Sequence, residues 1–548
     1  MLRSKNMPPH APRQRWPYIA IALLLSVHLL LVLRANFDFA HSHVFLEMDE
    51  KLSYSVNARL LHARSLKNLV QIASLGLDLR YGAVFFNSGA LLAWLPAKLW
   101  GETGQIVATR MAQAIQLLAS YLLLSACITP ISLRALFLAL VLLLPHTPYY
   151  SALPKPEPNQ LLFLALYLWY SHRHGFRLGR SWVFLGLAFG AKISSLPLLA
   201  PFALASVLEM KENFSGWRNV TRSLCTGTIA FFSGFFVAVP SLLIGLLLRE
   251  RYYLEDYLNW TFRFTGHGAD RTDVGPLDWI RFIAGEWLGT PSQLAALLLT
   301  ALLVISLILL ARLLIHGDRK SRFAAVTFTA GLITNTVIIL KVKRVWGMYL
   351  HVGTVLMLLS LVSALSLAPL ESGLKRIRSL AAVLLVLLCL LRVPPTLEDY
   401  DRLAHRTQSP HHTLRRKELE GLVSYFGDSA ATNHKKISVY WDPALYLPDD
   451  TNQFELLEFW GRVNHGVFVA GRDLIVALKV RFQAPPGGEE SIEYTDYKNG
   501  ITAWDDHVVT CAKTPCYKEI VNPYPDVVVL ARTDMTAPLF PGVTPEEN

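Results

Sequence analysis

Long apolar runs separated by short polar stretches repeat along the chain from residue 17 to residue 392. A helix crosses a hydrocarbon core with about 20 apolar residues, and somewhat fewer suffice where neighbouring helices thin the bilayer. That measure predicts spans at 17–36, 105–127, 132–148, 158–171, 182–194, 196–209, 223–248, 294–315, 323–340, 348–367 and 379–392, eleven in all. The loops 172–180, 211–222, 316–322 and 375–378 are basic, which places them on the cytoplasmic side together with the N-terminus. The first apolar run follows Arg3, Lys5, Arg13 and Arg15 and lacks a small-residue cleavage site, so an anchored helix is expected rather than a removable leader.

One more run, 83–100, is apolar enough to span, but an even number of crossings must separate the N-terminus from Arg173. The segment is therefore expected as a juxtamembrane or re-entrant helix on the outer face. Residues 37–104 then form one long external loop that carries Asp49, Glu50, Arg80 and Tyr81. The same parity sends 149–157, 249–293, the turn after Leu340 and the tail 393–548 to the outer side. The tail is rich in Pro, Asp, Glu, Tyr and His, with a helical pattern near 413–426 and β-branched runs at Ile437–Trp441 and 526–530. This pattern predicts a small α/β domain beyond an all-α membrane domain of residues 1–392.

Composition agrees with a polytopic membrane protein: 52% of residues are hydrophobic and 17% charged, and the mean hydropathy is +0.34. The formal charge of +11 resides largely in short loops, where it encodes orientation and points to no nucleic-acid partner. Cys127, Cys225 and Cys389 lie in apolar spans. Cys511 and Cys516 sit close together in the tail, as a small disulfide loop or as thiols rather than as zinc ligands with His507.

The external loops carry the candidate chemistry. Asp49-Glu50 opens a helical pattern in which Leu52, Val56 and Leu60 share a face, so the pair reads either as a helix N-terminal charge or as a reactive pair. Glu157 lies within Pro154-Lys155-Pro156-Glu157-Pro158, a solvated rigid turn on one reading and a second fixed carboxylate on the other. Lys341, Lys343 and Arg344 cluster at an outer helix end, where the positive-inside tendency disfavours them, and Arg80-Tyr81 precedes the juxtamembrane helix. Such cations suit a lipid phosphate or simply snorkel to the interface. Lys192 interrupts the apolar hairpin 182–209, where an ammonium needs a partner or a polar cavity. The loop 265–273, with His267 and Asp270, offers groups to an acceptor or a metal, but its spacing matches no standard metal site. Asn259-Trp260-Thr261 fits a glycosylation pattern. No phosphate-binding glycine loop or nucleotide-binding cassette appears, which removes a soluble nucleotide-sugar donor fold and primary active transport.

Met48-Asp49-Glu50, Arg80-Tyr81, Pro156-Glu157-Pro158 and Gly190-Ala191-Lys192, in this order, resemble the GT-C glycosyltransferases that use polyprenyl-phosphate sugars. The nearest likeness is to the bacterial lipid A aminoarabinose transferases, and a more distant one is to protein O-mannosyltransferases. The resemblance covers roughly residues 15–350 and implies a bacterial inner-membrane enzyme working on the periplasmic side. By the same resemblance Asp49 deprotonates the acceptor or organises the site, Glu50 supports it, and Glu157 binds acceptor or a divalent metal. Lys192 and the cluster Lys341, Lys343 and Arg344 hold the donor phosphate, with Arg80 and Tyr81 nearby. Gly82-Ala83-Val84 stands where the aminoarabinose transferases carry Glu-Lys-Pro after Arg-Tyr, so one phosphate-binding lysine of that branch is missing.

The mechanism implied is direct displacement with inversion. Asp49 takes the proton of the acceptor hydroxyl as it attacks the anomeric carbon, while cations stabilise the departing lipid phosphate. The acceptor is a lipid, a glycan or a protein. A transporter or flippase of a lipid-linked sugar shares the spans and cations but does not need an acid pair in a long external loop. A non-catalytic scaffold is the third class, and it leaves such charge-patterned loops without a use.

Overall fold

Among the residues described by this computed structural model, helices follow one another from Trp16 to Ala404 and strands begin at Ile437. It describes residues 15–37, 48–75, 82–213, 217–249, 251–258, 318–341, 347–367 and 372–405, short pieces between 297 and 311, and the strands of the tail. The helices are α1 (Trp16–Asn36), α2 (Met48–Leu61), α3 (Leu66–Leu75), α4 (Ala83–Ser125), α5 (Ile131–Leu142), α6 (Thr147–Ala152), α7 (Pro156–His174) and α8 (Trp182–Ala191). They continue as α9 (Leu196–Asn213), α10 (Trp217–Ala238), α11 (Pro240–Leu248), α12 (Arg251–Leu258), α13 (Arg319–Lys341), α14 (His351–Ser366) and α15 (Ser372–Ala404).

Among the described residues six helices are long and apolar enough to cross a membrane, and they lie in α1, α4, α10, α13, α14 and α15. The protein is an integral, multi-pass membrane protein. Burial ranks these helices: the apolar window of α14 is 83% buried and sits at the centre of the bundle, whereas that of α1 is 17% buried and presents Leu23, Val27 and Leu30 outward. An exposed apolar face of this kind is stable against lipid. The main core joins Leu117 and Tyr121 of α4, Phe137 of α5, Leu161 and Tyr167 of α7, Phe202 of α9 and Val355 of α14.

Prolines revise several of the expected spans. The run 223–248 is two helices, α10 and α11, because Pro240 has no N–H to give to the preceding turn and instead starts a new helix. The run 132–148 stops as a helix at Leu142, close to Pro145, and α6 restarts with Pro148 in its first turn. In contrast, 379–392 is the middle of the longer α15, which continues through Pro394 and Pro395 to Ala404. The run 294–315 lies mostly outside the described residues.

Segment 83–100 is a helix separate in direction from the one that follows it. α4 breaks at Trp100 and Gly101, and Gly101 has φ +61°, which only glycine adopts without strain. The two halves fold back on each other. A Cβ at Gly104 would lie 2.3 Å from the Pro96 carbonyl oxygen, and Gln116 Nε2 donates to Ser88 Oγ at 3.1 Å. Contacts pairing 96 with 104 and 88 with 116 make the halves antiparallel.

In the tail five strands, β1 (Ile437–Trp441), β2 (Phe454–Glu458), β3 (Leu474–Leu478), β4 (Tyr517–Glu519) and β5 (Val527–Arg532), form a mixed sheet of order β2-β1-β3-β5-β4. β1 runs parallel to β2 and β3, and β5 runs antiparallel to β3 and β4. The helix expected at 413–426 falls outside the described residues.

Candidate active site

The first turn of α7 carries the site's best-defined carboxylate. Pro156 and Pro158 are accommodated there because the first N–H groups of a helix have no intrahelical partner, and Pro fixes φ where the helix needs it. Pro156-Glu157-Pro158 is therefore helical, and Glu157 is buried at 3% exposure rather than held in a solvated turn. The positive end of the α7 dipole favours its charge. Lys192 closes α8 at its C-terminal cap, and its Nζ forms an ion pair with Glu157 Oε1. The same Nζ lies 4.8 Å from the centre of the Tyr349 ring, a cation–π arrangement.

Glu157 Oε2 has no hydrogen-bond partner among the described residues. Tyr150 of α6 lies within electrostatic reach of Glu157 and Tyr349, and its hydroxyl donates to the Met348 carbonyl at 2.6 Å. Tyr150 also meets the His351 ring edge-on at 5.0 Å, and His351 Nε2 is bonded to the Tyr121 hydroxyl at 2.8 Å. These contacts fix the segment Gly347–Leu350, and with it Tyr349, against α4 and α6.

A second buried ion pair joins α2 to α4. Glu50, in the first turn of α2, is 1% exposed, and Arg110 Nε of α4 donates to its Oε1 at 2.5 Å. Six residues further along α4, about 9 Å at the usual helical rise, Gln116 Oε1 accepts from Asn159 Nδ2 of α7 at 3.1 Å. On α7, Asn159 follows Glu157 by two positions. α4 is thus tied to α2 by an ion pair and to α7 by an amide contact, and Gln160 Nε2 ties α7 to Ser195 Oγ at 2.6 Å just beyond Lys192.

Gly82 brings a third segment to this place. It precedes α4 with φ +65°, and a Cβ there would come within 2.4 Å of the Gly190 carbonyl oxygen. The stretch Gly190-Ala191-Lys192 and the residue directly after Arg80-Tyr81 are consequently in backbone contact. The motifs at 156–158 and 190–192 thus come together with Gly82, far apart in the chain though they are, where α4, α7 and α8 meet.

The remaining sequence candidates are placed unevenly. Asp49 lies in the first turn of α2 and Lys341 ends α13, but their side chains lie outside the description. Arg80, Tyr81, Lys343, Arg344, His267, Asp270, Cys511, Cys516 and Asn259-Trp260-Thr261 lie outside the described residues. No group of three His, Cys, Asp or Glu residues able to hold a metal occurs among the described residues.

Sequence reasoning did not single out Arg110, Tyr349, Gln113, Gln116 or Asn159. Arg110 had a signal, since a guanidinium inside the predicted span 105–127 demands a partner. Tyr349 and the amides carried none, because neutral polar side chains hardly lower the apolarity of a span.

No protein-family model matches the sequence, and no curated protein matches it. Solved structures do. ArnT from Cupriavidus metallidurans in the apo state superposes with a TM-score of 0.51 at 12% identity, over 93% of this chain and 97% of that one. ArnT from the same organism bound to undecaprenyl phosphate gives a TM-score of 0.52 at 10% identity with the same coverage. At such identity the likeness is one of fold, shared with ArnT over nearly the whole of both chains.

Proposed function

We propose that this protein is a GT-C membrane glycosyltransferase that moves a sugar from a polyprenyl-phosphate donor to a lipid, glycan or protein acceptor. The site faces the outer side of the membrane, the periplasm of a bacterial cell, and the tail 393–548 lies on that side as an α/β domain over or near the site. The observation that carries this reading is the convergence of Glu157, Lys192 and the Gly82 backbone within an ArnT-like fold.

In the proposed reaction Asp49 accepts the proton of the acceptor hydroxyl, which attacks the anomeric carbon from the face opposite the phosphate. The C–O bond to the phosphate breaks with inversion, and the bonding pair leaves on the lipid phosphate. Lys192, with Arg80, Tyr81, Lys341, Lys343 and Arg344, receives that phosphate. Glu50 keeps Arg110 in place beside Asp49, and Glu157 holds the Lys192 ammonium where the phosphate arrives. His267 and Asp270 are assigned to the acceptor side. A divalent metal has no step in this scheme, and its contribution is read from the effect of a chelator on transfer.

The test uses purified protein and a panel of sugar-charged polyprenyl phosphates, comparing wild type with Asp49→Asn and Glu157→Gln at matched protein level. Loss of transfer by about 100-fold or more in Asp49→Asn is expected for a missing base. Full transfer by that variant would refute the mechanism, and absence of transfer by the wild type across the panel would refute the function.

A further inference from the structure

The part of α4 that meets α2 and α7 contains more polar groups than its hydrogen bonds use. Gln113 is fully buried, and neither its Oε1 nor its Nε2 has a hydrogen-bond partner among the described residues. Gln105 Nε2, Asn57 Oδ1 and Asn159 Oδ1 are buried and unpartnered in the same sense. A buried amide without partners costs free energy that a native fold tolerates only where something else satisfies it.

These amides form one stripe. Gln105 and Gln116 stand eleven residues apart on α4, about three whole turns, and Gln113 lies within about 80° of both, so the three share a face. Asn57 of α2 joins the stripe between Gln105 and Gln113 by donating to Thr109 Oγ1 at 3.3 Å. Asn159 joins it at the inner end through Gln116. Each charged group that borders it has a partner of opposite sign, Glu50 with Arg110 and Glu157 with Lys192, and among the described residues only Glu157 Oε2 is left without a hydrogen bond.

We infer that this stripe, with Gln113 at its centre, binds the sugar of the lipid-linked donor, and that this sugar is an uncharged hydroxylated ring. The inference rests on the glycosyltransferase reading above. A carboxamide both donates and accepts, which is what a ring of hydroxyls presents in return. The stripe begins beside the Glu157–Lys192 pair, so a phosphate received at Lys192 leaves its sugar next to Asn159 and Gln113. A cationic amino sugar would find neutral amides there and carboxylates already paired.

The test measures binding to full-length protein in nanodiscs with three probes: undecaprenyl phosphate, undecaprenyl phosphate bearing an uncharged hexose or pentose, and undecaprenyl phosphate bearing an amino sugar. The uncharged sugar is expected to tighten wild-type binding about tenfold over the bare lipid phosphate, and Gln113→Leu to abolish that gain while leaving the bare lipid bound as before. Asn159→Leu, run in parallel, gives the same readout independently of how well the Gln113 variant folds. Persistence of the gain in both variants overturns the pocket. An equal gain from the amino sugar overturns the uncharged class, and a defect confined to acceptor use overturns the assignment to the donor. Wild type that binds the bare lipid with no gain from any sugar sinks only this inference. Wild type that binds no lipid phosphate at all refutes the glycosyltransferase reading itself.

Discussion

Arg110 and Glu50 meet inside the protein with Nε 2.5 Å from Oε1 and both side chains nearly inaccessible, so α2 is fastened to α4 by an ion pair that water does not screen. That geometry makes the pair unforgiving. Arg110→Met and Glu50→Gln each remove one charge of the buried pair, and each is expected to cost about 3–5 kcal/mol. The double variant, having no buried charge, should recover much of that loss. Thermal unfolding in detergent of the three variants checks this, and additive losses would show that the pair is not coupled.

Lys192 is gripped from two sides, by Glu157 and by the Tyr349 ring. Tyr349→Phe retains the ring face and should leave the donor KM close to that of the wild type, while Tyr349→Ala frees the ammonium and should raise it. The loss expected from an exposed to desolvated cation–π contact, about 0.5–2 kcal/mol, corresponds to a factor of roughly 2–30 in KM. Steady-state transfer kinetics over a range of donor concentration decide between the two outcomes.

Lys192→Met removes the cation and should lower transfer by about 100-fold or more, because its partner Glu157 is left buried beside the incoming phosphate. Lys192→Arg keeps the charge but not the compact geometry and should fall in between. Parallel measurement of unfolding temperature separates this from loss of the fold: a transfer defect that tracked stability alone would reduce Lys192 to a structural residue.

Gly82 and Gly101 both have positive φ, but only Gly82 has a neighbour where a Cβ would go. Gly101→Ala therefore reports the backbone strain alone, about 1–3 kcal/mol. Gly82→Ala adds a collision with the Gly190 carbonyl and should shift the Lys192 turn, lowering both stability and transfer. Equal effects of the two substitutions on transfer would argue against the coupling of Gly82 to Lys192.

The glycosyltransferase reading was legible in parts. Glu157 and Lys192 stood out because a carboxylate between prolines and an ammonium inside an apolar hairpin are each costly unless used. Their partnership was not legible, since the two lie 35 residues apart on different helices. Glu50 could be taken for a helix N-terminal charge until Arg110, 60 residues away, was seen to meet it. The break in α4 at Gly101 fits the separation of 83–100 from 105–127 that charge parity required, whereas Pro240 divided a span that apolarity alone ran together.

By itself the sequence determined that the chain lives in a membrane, roughly where its helices run and which loops carry charge. Hydropathy, proline and the placement of Lys and Arg act locally and add up along the chain, so these properties need no knowledge of packing. Which charges neutralise each other, which amides are left unsatisfied and which motifs touch were decided only by tertiary structure. Ion pairs and hydrogen bonds act over a few ångströms, and it is the packing of α2, α4, α7 and α8 that brings their partners within that distance.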